Sequence, residues 1–167
     1  CYRAFYAVKG LTNSKGQPTN AVYGFVNALH KMLKDFEPQY FAACFDKDGK
    51  TFRQETYKEY KIQRPPMPDD LKSQMALIHQ VVKAYGISSM EVSGYEADDL
   101  IATAAANFKG DDFEVVIISD DKDLFQLLDK RVSVYSPRKE RLLKYHDIEE
   151  VFGVAPEYVA DFIGMAG

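Results

Sequence analysis

Apolar residues along this chain recur at intervals of three and four in some stretches and bunch into short runs in others. Val22, Phe25, Val26, Leu29, Met32, Leu33 and Phe36 repeat with helical period, which predicts a helix over 19–36 that Pro38 stops. The run 40–45 is short and apolar and ends at Asp46, which predicts a buried strand. Residues 49–67 are polar, basic and aromatic, and the tail Arg64-Pro65-Pro66-Met67-Pro68 should be extended. Asp69 is placed to cap a helix reaching about Tyr85, with Leu71, Met75, Ile78, Val81 and Val82 on its apolar face and Gly86 closing it. A short strand is expected over 89–92. Ser93 and Glu96 then have the spacing of a capping box before a helix that reaches about Phe108. Further strands are expected over 114–119 and 131–135, with a helix from an acidic start over 120–128. Two short helices, near 147–152 and 156–163, finish the chain.

Strands alternating with helices predict an α/β fold, a twisted parallel sheet with helices on both faces. In such sheets sites form at the carboxyl ends of the strands. Asp46 ends one strand, and Asp121 and Asp123 follow another. Glu96, Asp98 and Asp99 open the helix after a third. Clustered carboxylates repel unless a cation lies among them, and a hard oxygen set with no Cys or His nearby suits Mg²⁺. Acids in a first helical turn also complement the helix dipole, so spacing alone leaves each group open between cap and ligand. The capping-box reading makes this sharpest for Glu96.

Length and charge refine the picture. A chain of 167 residues, 46% hydrophobic, fits one domain with a packed core. No apolar run is long enough to cross a bilayer. The chain opens on Cys1 without an initiator Met and ends on Gly164-Met165-Ala166-Gly167, so it reads as a single domain over 1–167, cut from a longer chain at both ends. Cys1 and Cys44 are too few for a disulfide framework, which points to a reducing cytoplasm. Net charge is −4, which argues against a simple basic DNA-coating protein. The charges are segregated, however. Residues 50–64 carry five basic residues against two acidic ones, and 91–129 carry eleven acids against two lysines. One segment could hold phosphates and the other cations.

Basic residues interleaved with Phe52, Tyr57 and Tyr60 suit single-stranded nucleic acid, since bases stack on aromatics while cations hold the backbone. An ordinary solvated loop has the same composition. Gly10 and Gly16 flank a loop in which Lys15 is a candidate DNA contact. His30, His79 and His146 read as structural or surface residues, and the five methionines as packing.

Longer motifs carry a resemblance. Tyr2-Arg3-Ala4-Phe5-Tyr6-Ala7, Thr12-Asn13-Ser14-Lys15-Gly16-Gln17-Pro18-Thr19-Asn20-Ala21, Phe45-Asp46 and Thr51-Phe52-Arg53 come first. Tyr57-Lys58-Glu59-Tyr60-Lys61, Arg64-Pro65-Pro66-Met67-Pro68, Gly94-Tyr95-Glu96-Ala97-Asp98-Asp99 and Asp121-Lys122-Asp123-Leu124 follow in order. Together they resemble the 5′-nuclease family of flap endonucleases and 5′→3′ exonucleases. Within it they are most similar to the exonuclease domain of bacterial DNA polymerase I.

That resemblance implies a PIN-like (resolvase-like) nuclease fold that removes RNA primers and 5′ flaps with Mg²⁺ or Mn²⁺, two ions or more. Its partners would be DNA with a 5′ flap or 5′ end, with no membrane, and a C-terminal polymerase domain in the parent chain is compatible with it. The place of action would be the bacterial cytoplasm at the nucleoid. Matching positions imply metal carboxylates at Asp46, Glu96, Asp98, Asp99, Asp121 and Asp123. They imply that Lys61 and Arg64 contact the scissile phosphate, that Tyr60 stacks on a base, and that Arg3 and Arg53 bind phosphate. The reaction would be in-line attack of a metal-activated water, with no covalent intermediate. The family's first strand, further carboxylates after the match to Met165-Ala166-Gly167, and a helix-hairpin-helix element have no counterpart here, and Asp120 stands where the family usually has Gly. Two other classes stay open. One is a structure-selective DNA-binding fragment that does not cut. The other is an RNA-cleaving nuclease or phosphatase on a related sheet, and the basic-aromatic segment argues against the phosphatase.

Overall fold

Element order in the computed structural model, which describes residues 2–8, 10–63, 65–110 and 112–166, follows the apolar pattern with three short additions. Two compact units are present, Cys1–Gly94 and Tyr95–Gly167.

The first unit opens with α1 (Tyr2–Ala7), one of the additions, and α2 (Asn20–Phe36). Glu37 ends α2 in a left-handed conformation (φ 41°), its N–H donating to the Leu33 carbonyl at 3.1 Å, and Pro38 then cannot continue the helix. Strand β1 (Ala42–Cys44) is shorter than the apolar run that announces it. Helix α3 (Phe52–Thr56), the second addition, lies inside the basic-aromatic segment. Helix α4 (Asp69–Ala84) starts one residue earlier than expected, since Pro68 is its cap and Asp69 its first residue. That order suits both side chains, because the fixed φ of Pro is compatible with a helix start and Asp in the first turn complements the dipole. Gly86 (φ 68°) closes α4 and leads into β2 (Ser88–Met90). Strands β1 and β2 pair in parallel from Ala42 opposite Ser88 to Cys44 opposite Met90.

Ala21, Phe45, Leu71, Ile78 and Val82 form the core of this unit. Leu71 and Ile78 are fully buried, each worth about 1.5–3 kcal/mol of transfer free energy. Helix α1 seats directly on the backbone of α2. A Cβ added at Gly24 would lie 2.9 Å from the Ala4 Cβ and 3.2 Å from its Cα.

In the second unit, α5 (Ala97–Phe108) precedes β3 (Val115–Ile118). The acidic start expected to open an α-helix opens a 3₁₀ helix instead, Lys122–Leu127, which buries Leu124 and Phe125. Strand β4 (Val132–Ser136) pairs in parallel with β3 and antiparallel with β5 (Arg141–Leu143), the third addition. Helix α6 (Tyr145–Phe152), a 3₁₀ turn (Pro156–Tyr158) and α7 (Val159–Ala166) complete the order. Ile117, Val132, Val134, Leu143, Ile148 and Val159 form the centre of this unit's core.

The architecture is α/β with parallel strand pairing, as the alternation of elements predicts. The strands divide between a two-stranded sheet, β1–β2, and a three-stranded one, β3–β4–β5, with β5 reversed. No helix among the described residues is long and apolar enough to cross a membrane.

Candidate functional site

Asp46 stands just beyond β1 and is exposed. It follows Phe45, whose N–H donates to the Met90 carbonyl at 3.0 Å and so carries the strand pairing one residue past β1. This is the strand-end position the apolar pattern marks. Cys44, inside the strand, is a free thiol whose pKa is raised by burial, which suits packing and not nucleophilic chemistry.

The other candidate carboxylates fall at two helix starts of the second unit. Glu96 is the cap residue of α5, and Asp98 and Asp99 lie in its first turn, all three half-buried. The capping box is therefore displaced from its expected place. Glu96 is the cap and not the third residue, and Asp99 takes the third position, its Oδ2 accepting from the Glu96 N–H at 3.0 Å. The Ser93-Gly94-Tyr95 segment stays outside the helix, with Gly94 at φ 87°. Asp121 caps the 3₁₀ helix through its Oδ1, which accepts from the Asp123 N–H at 3.0 Å. Asp121 and Asp123 are both exposed.

Oxygen donors of this kind suit a hard divalent cation, and a carboxylate that accepts one backbone N–H keeps lone pairs for another partner. Among the described residues, however, no three Asp, Glu, His or Cys side chains are placed to hold one ion. The donor chemistry fits such a cation, and the gathering of three donors is not seen.

Arg3 is exposed on α1. Lys15 sits near the tip of a tight loop closed by a bridge between Thr12 and Pro18. Asn13 organises that loop, its Oδ1 accepting from the N–H groups of Lys15 (2.9 Å) and Gln17 (3.0 Å), while Gly16 supplies φ 76°. Arg53 lies on α3 with its guanidinium 4.6 Å from the Phe52 ring centre. The Phe52 N–H donates to the Gly94 carbonyl at 2.9 Å, which ties the start of α3 to the loop that leads to Glu96. Tyr60 and Lys61 lie in the turns that follow α3. Lys61 holds a left-handed backbone (φ 57°), and its Nζ sits 5.0 Å from the Tyr60 ring centre. Arg64, the second candidate beside Lys61, lies outside the described residues.

Asp120, set aside in the sequence as a departure from Gly, has a structural task. Its Oδ1 accepts from the Ser136 hydroxyl (2.6 Å) and the Arg138 N–H (3.1 Å), which pins the β4–β5 turn. No local sequence signal points to this, because the partners lie 16 and 18 residues away.

The family model described as 5′-3′ exonuclease, N-terminal resolvase-like domain, matches residues 1–153, and the chain belongs to that family. It is 42% identical over 166 residues to the 5′-3′ exonuclease of Aquifex aeolicus, a match covering 99% of this chain and 57% of that one. To DNA polymerase I of Bacillus subtilis it is 43% identical over 171 residues, covering 99% of this chain and 19% of the polymerase. A T5 protein co-crystallized with metal ions superposes with a TM-score of 0.62 at 26% identity, over 85% of this chain and 55% of that one. The chain thus spans a little over half of the exonuclease relative and about a fifth of the polymerase.

Proposed function

We propose that this chain is the nuclease part of a divalent-metal-dependent 5′→3′ exonuclease and 5′-flap endonuclease. Its substrate would be DNA, and its task primer and flap removal in replication and repair. The single observation that carries the reading is the bond from the Phe52 N–H to the Gly94 carbonyl. It roots the start of the basic-aromatic segment at Gly94, two residues ahead of Glu96 in the chain. The bacterial relatives support action in the cytoplasm at the nucleoid, and the polymerase relatives support a polymerase domain further along the parent chain.

In this reading Asp46, Glu96, Asp98, Asp99, Asp121 and Asp123 hold Mg²⁺ or Mn²⁺. Such ions supply charge neutralisation at the phosphate and a more acidic water. Lys61 and Arg64 donate hydrogen bonds to non-bridging oxygens of the scissile phosphate, where charge builds up during attack. Tyr60 stacks on the neighbouring base and so fixes which phosphate faces Lys61. Arg3, Lys15 and Arg53 hold phosphates away from the cut and set register without reading sequence.

A second reading is a module that holds flap DNA without cutting it. The absence of a three-donor group among the described residues favours it. The test is cleavage of a 5′-flap duplex with and without Mg²⁺, using this chain and the longer parent protein, with a matched RNA flap alongside. Mg²⁺-dependent cutting of the DNA flap supports the nuclease. Flap binding by both proteins, with no cutting by either, supports the binding module and sinks the nuclease. Faster cutting of the RNA flap would reassign the substrate.

A further inference from the structure

We propose that His79 is a positioning residue for Asp46, acting as a clamp across the carboxyl ends of both strands of the β1–β2 sheet. The inference rests on the reading of Asp46 as a site carboxylate. His79 lies on α4 one residue after Ile78, which is fully buried, so its backbone is anchored in the core. From there its ring packs on Phe45, with centroids 4.3 Å apart and the planes tilted by 40°. Its Nδ1 lies 3.1 Å from the Glu91 carboxylate. Phe45 is the residue before Asp46, and Glu91 is the residue after β2. One side chain therefore touches both strand ends, and the Phe45 N–H to Met90 carbonyl bond closes the same edge at 3.0 Å.

The pair is a poor stability device. The His79 and Glu91 side chains are 35% and 33% exposed, and exposed pairs contribute little to folding free energy. What the geometry provides is position. With its proton on Nδ1, His79 donates to Glu91, which sets the plane of the ring lying against Phe45. Phe45 is 7% exposed, so its ring is held by packing, and its N–H to the Met90 carbonyl fixes the backbone that leads into Asp46. A site carboxylate at a strand end needs such support, since small misplacement is costly to rate.

The experiment uses the full-length protein, with His79→Ala, His79→Gln and Glu91→Gln compared by flap kinetics, by exchange of the Phe45 amide and by thermal melting. His79→Ala is expected to melt as a folded protein, to exchange the Phe45 amide faster, and to lose about tenfold to a hundredfold in kcat with KM little changed. His79→Gln, which keeps a donor but no ring, should fall between it and the parent. Glu91→Gln, which keeps an acceptor, should stay near the parent rate. An unchanged kcat in His79→Ala overturns the proposal, as does a fall in kcat with Phe45 exchange unaltered. Asp46→Asn separates the two ideas. A parent-like rate there overturns the site reading of Asp46 and the catalytic link with it, while Phe45 exchange still reads the clamp itself.

Discussion

Gln74 and Asn20 meet inside the first unit, the Gln74 Nε2 donating to the Asn20 Oδ1 at 3.0 Å, and both side chains are buried. The Gln74 Oε1 also accepts from the N–H groups of Ala21 (2.8 Å) and Val22 (3.2 Å). These are donors that a helix start leaves without partners. Helix α4 thus caps α2 from within the core, and Asn20 passes the link on to α1 through the Phe5 carbonyl at 2.6 Å.

Gln74→Leu keeps the volume and removes the bonds that Gln74 makes to Asn20, Ala21 and Val22. Two backbone donors and the Asn20 amide then lose buried partners, at a cost of about 2–4 kcal/mol. Urea unfolding should show a lower midpoint with an unchanged slope. A stability equal to the parent's would mean that water reaches the α2 start.

Gly24→Ala tests how α1 is held. Ala gains about 1 kcal/mol in helix propensity over Gly, which offsets part of an overpacking cost of about 1–3 kcal/mol. Net stability should therefore move by no more than about 2 kcal/mol. The contact at 2.9 Å is with the Cβ of Ala4, a small group with no rotamer to yield, so α1 must shift and Arg3 with it. Affinity for flap DNA should fall about as far as it does in Arg3→Ala. Parent-like affinity in Gly24→Ala, with a clear loss in Arg3→Ala, would refute the coupling.

Periodicity made α2 and α4 legible, because their apolar faces repeat over four turns and more. It could not show Gln74, a polar residue at a core position whose α2 partners lie more than 50 residues away. Strand β5 has no apolar run to announce it, since Leu142 and Leu143 sit among charged residues. Its turn depends on Glu140 in a left-handed backbone (φ 48°) and on the distant Asp120 side chain. Asp46 follows a strand, and the other candidate carboxylates fall at helix starts. Their role was not legible, because the same acid at a helix start serves the dipole, a backbone N–H or an ion. Asp99 and Asp121 each accept from a backbone N–H of their own helix start. The capping box was misplaced for a related reason, since Ser93 and Glu96 have the right spacing but Glu96 and Asp99 have the right backbone.

Asp129 should govern part of the acid limb of stability. Burial pushes its pKa up. The Lys109 ammonium (2.6 Å) and the N–H groups of Arg131 (2.7 Å) and Val132 (2.9 Å) outweigh that and hold it below the ordinary carboxylate value. A carboxyl whose pKa is depressed by folding stabilises the fold above its unfolded pKa, near 4, and loses that contribution as pH falls through the folded value. Asp129→Asn should therefore be less stable than the parent at neutral pH, and the gap should narrow below about pH 4. Circular dichroism melts from pH 7 to pH 2 would check it, and a constant gap across that range would refute it.

Lys61 joins backbone strain to proposed chemistry, and the two can be separated. A non-glycine residue at φ 57° costs about 1–3 kcal/mol unless its surroundings compensate. Lys61→Gly removes both that strain and the ammonium, so it should melt no lower than the parent. Lys61→Ala keeps the strain and removes the charge. If Lys61 acts on the scissile phosphate, both variants should lose about 10²–10³ in single-turnover rate, and flap affinity should fall far less. Lys61→Arg, which keeps a cation but not its size or hydration, should recover part of the rate. Tyr60→Ala offers the contrast, because loss of stacking should weaken binding of the unpaired strand first. Equal losses of affinity in Lys61→Ala and Tyr60→Ala, with single-turnover rates unchanged, would reduce Lys61 to a phosphate anchor.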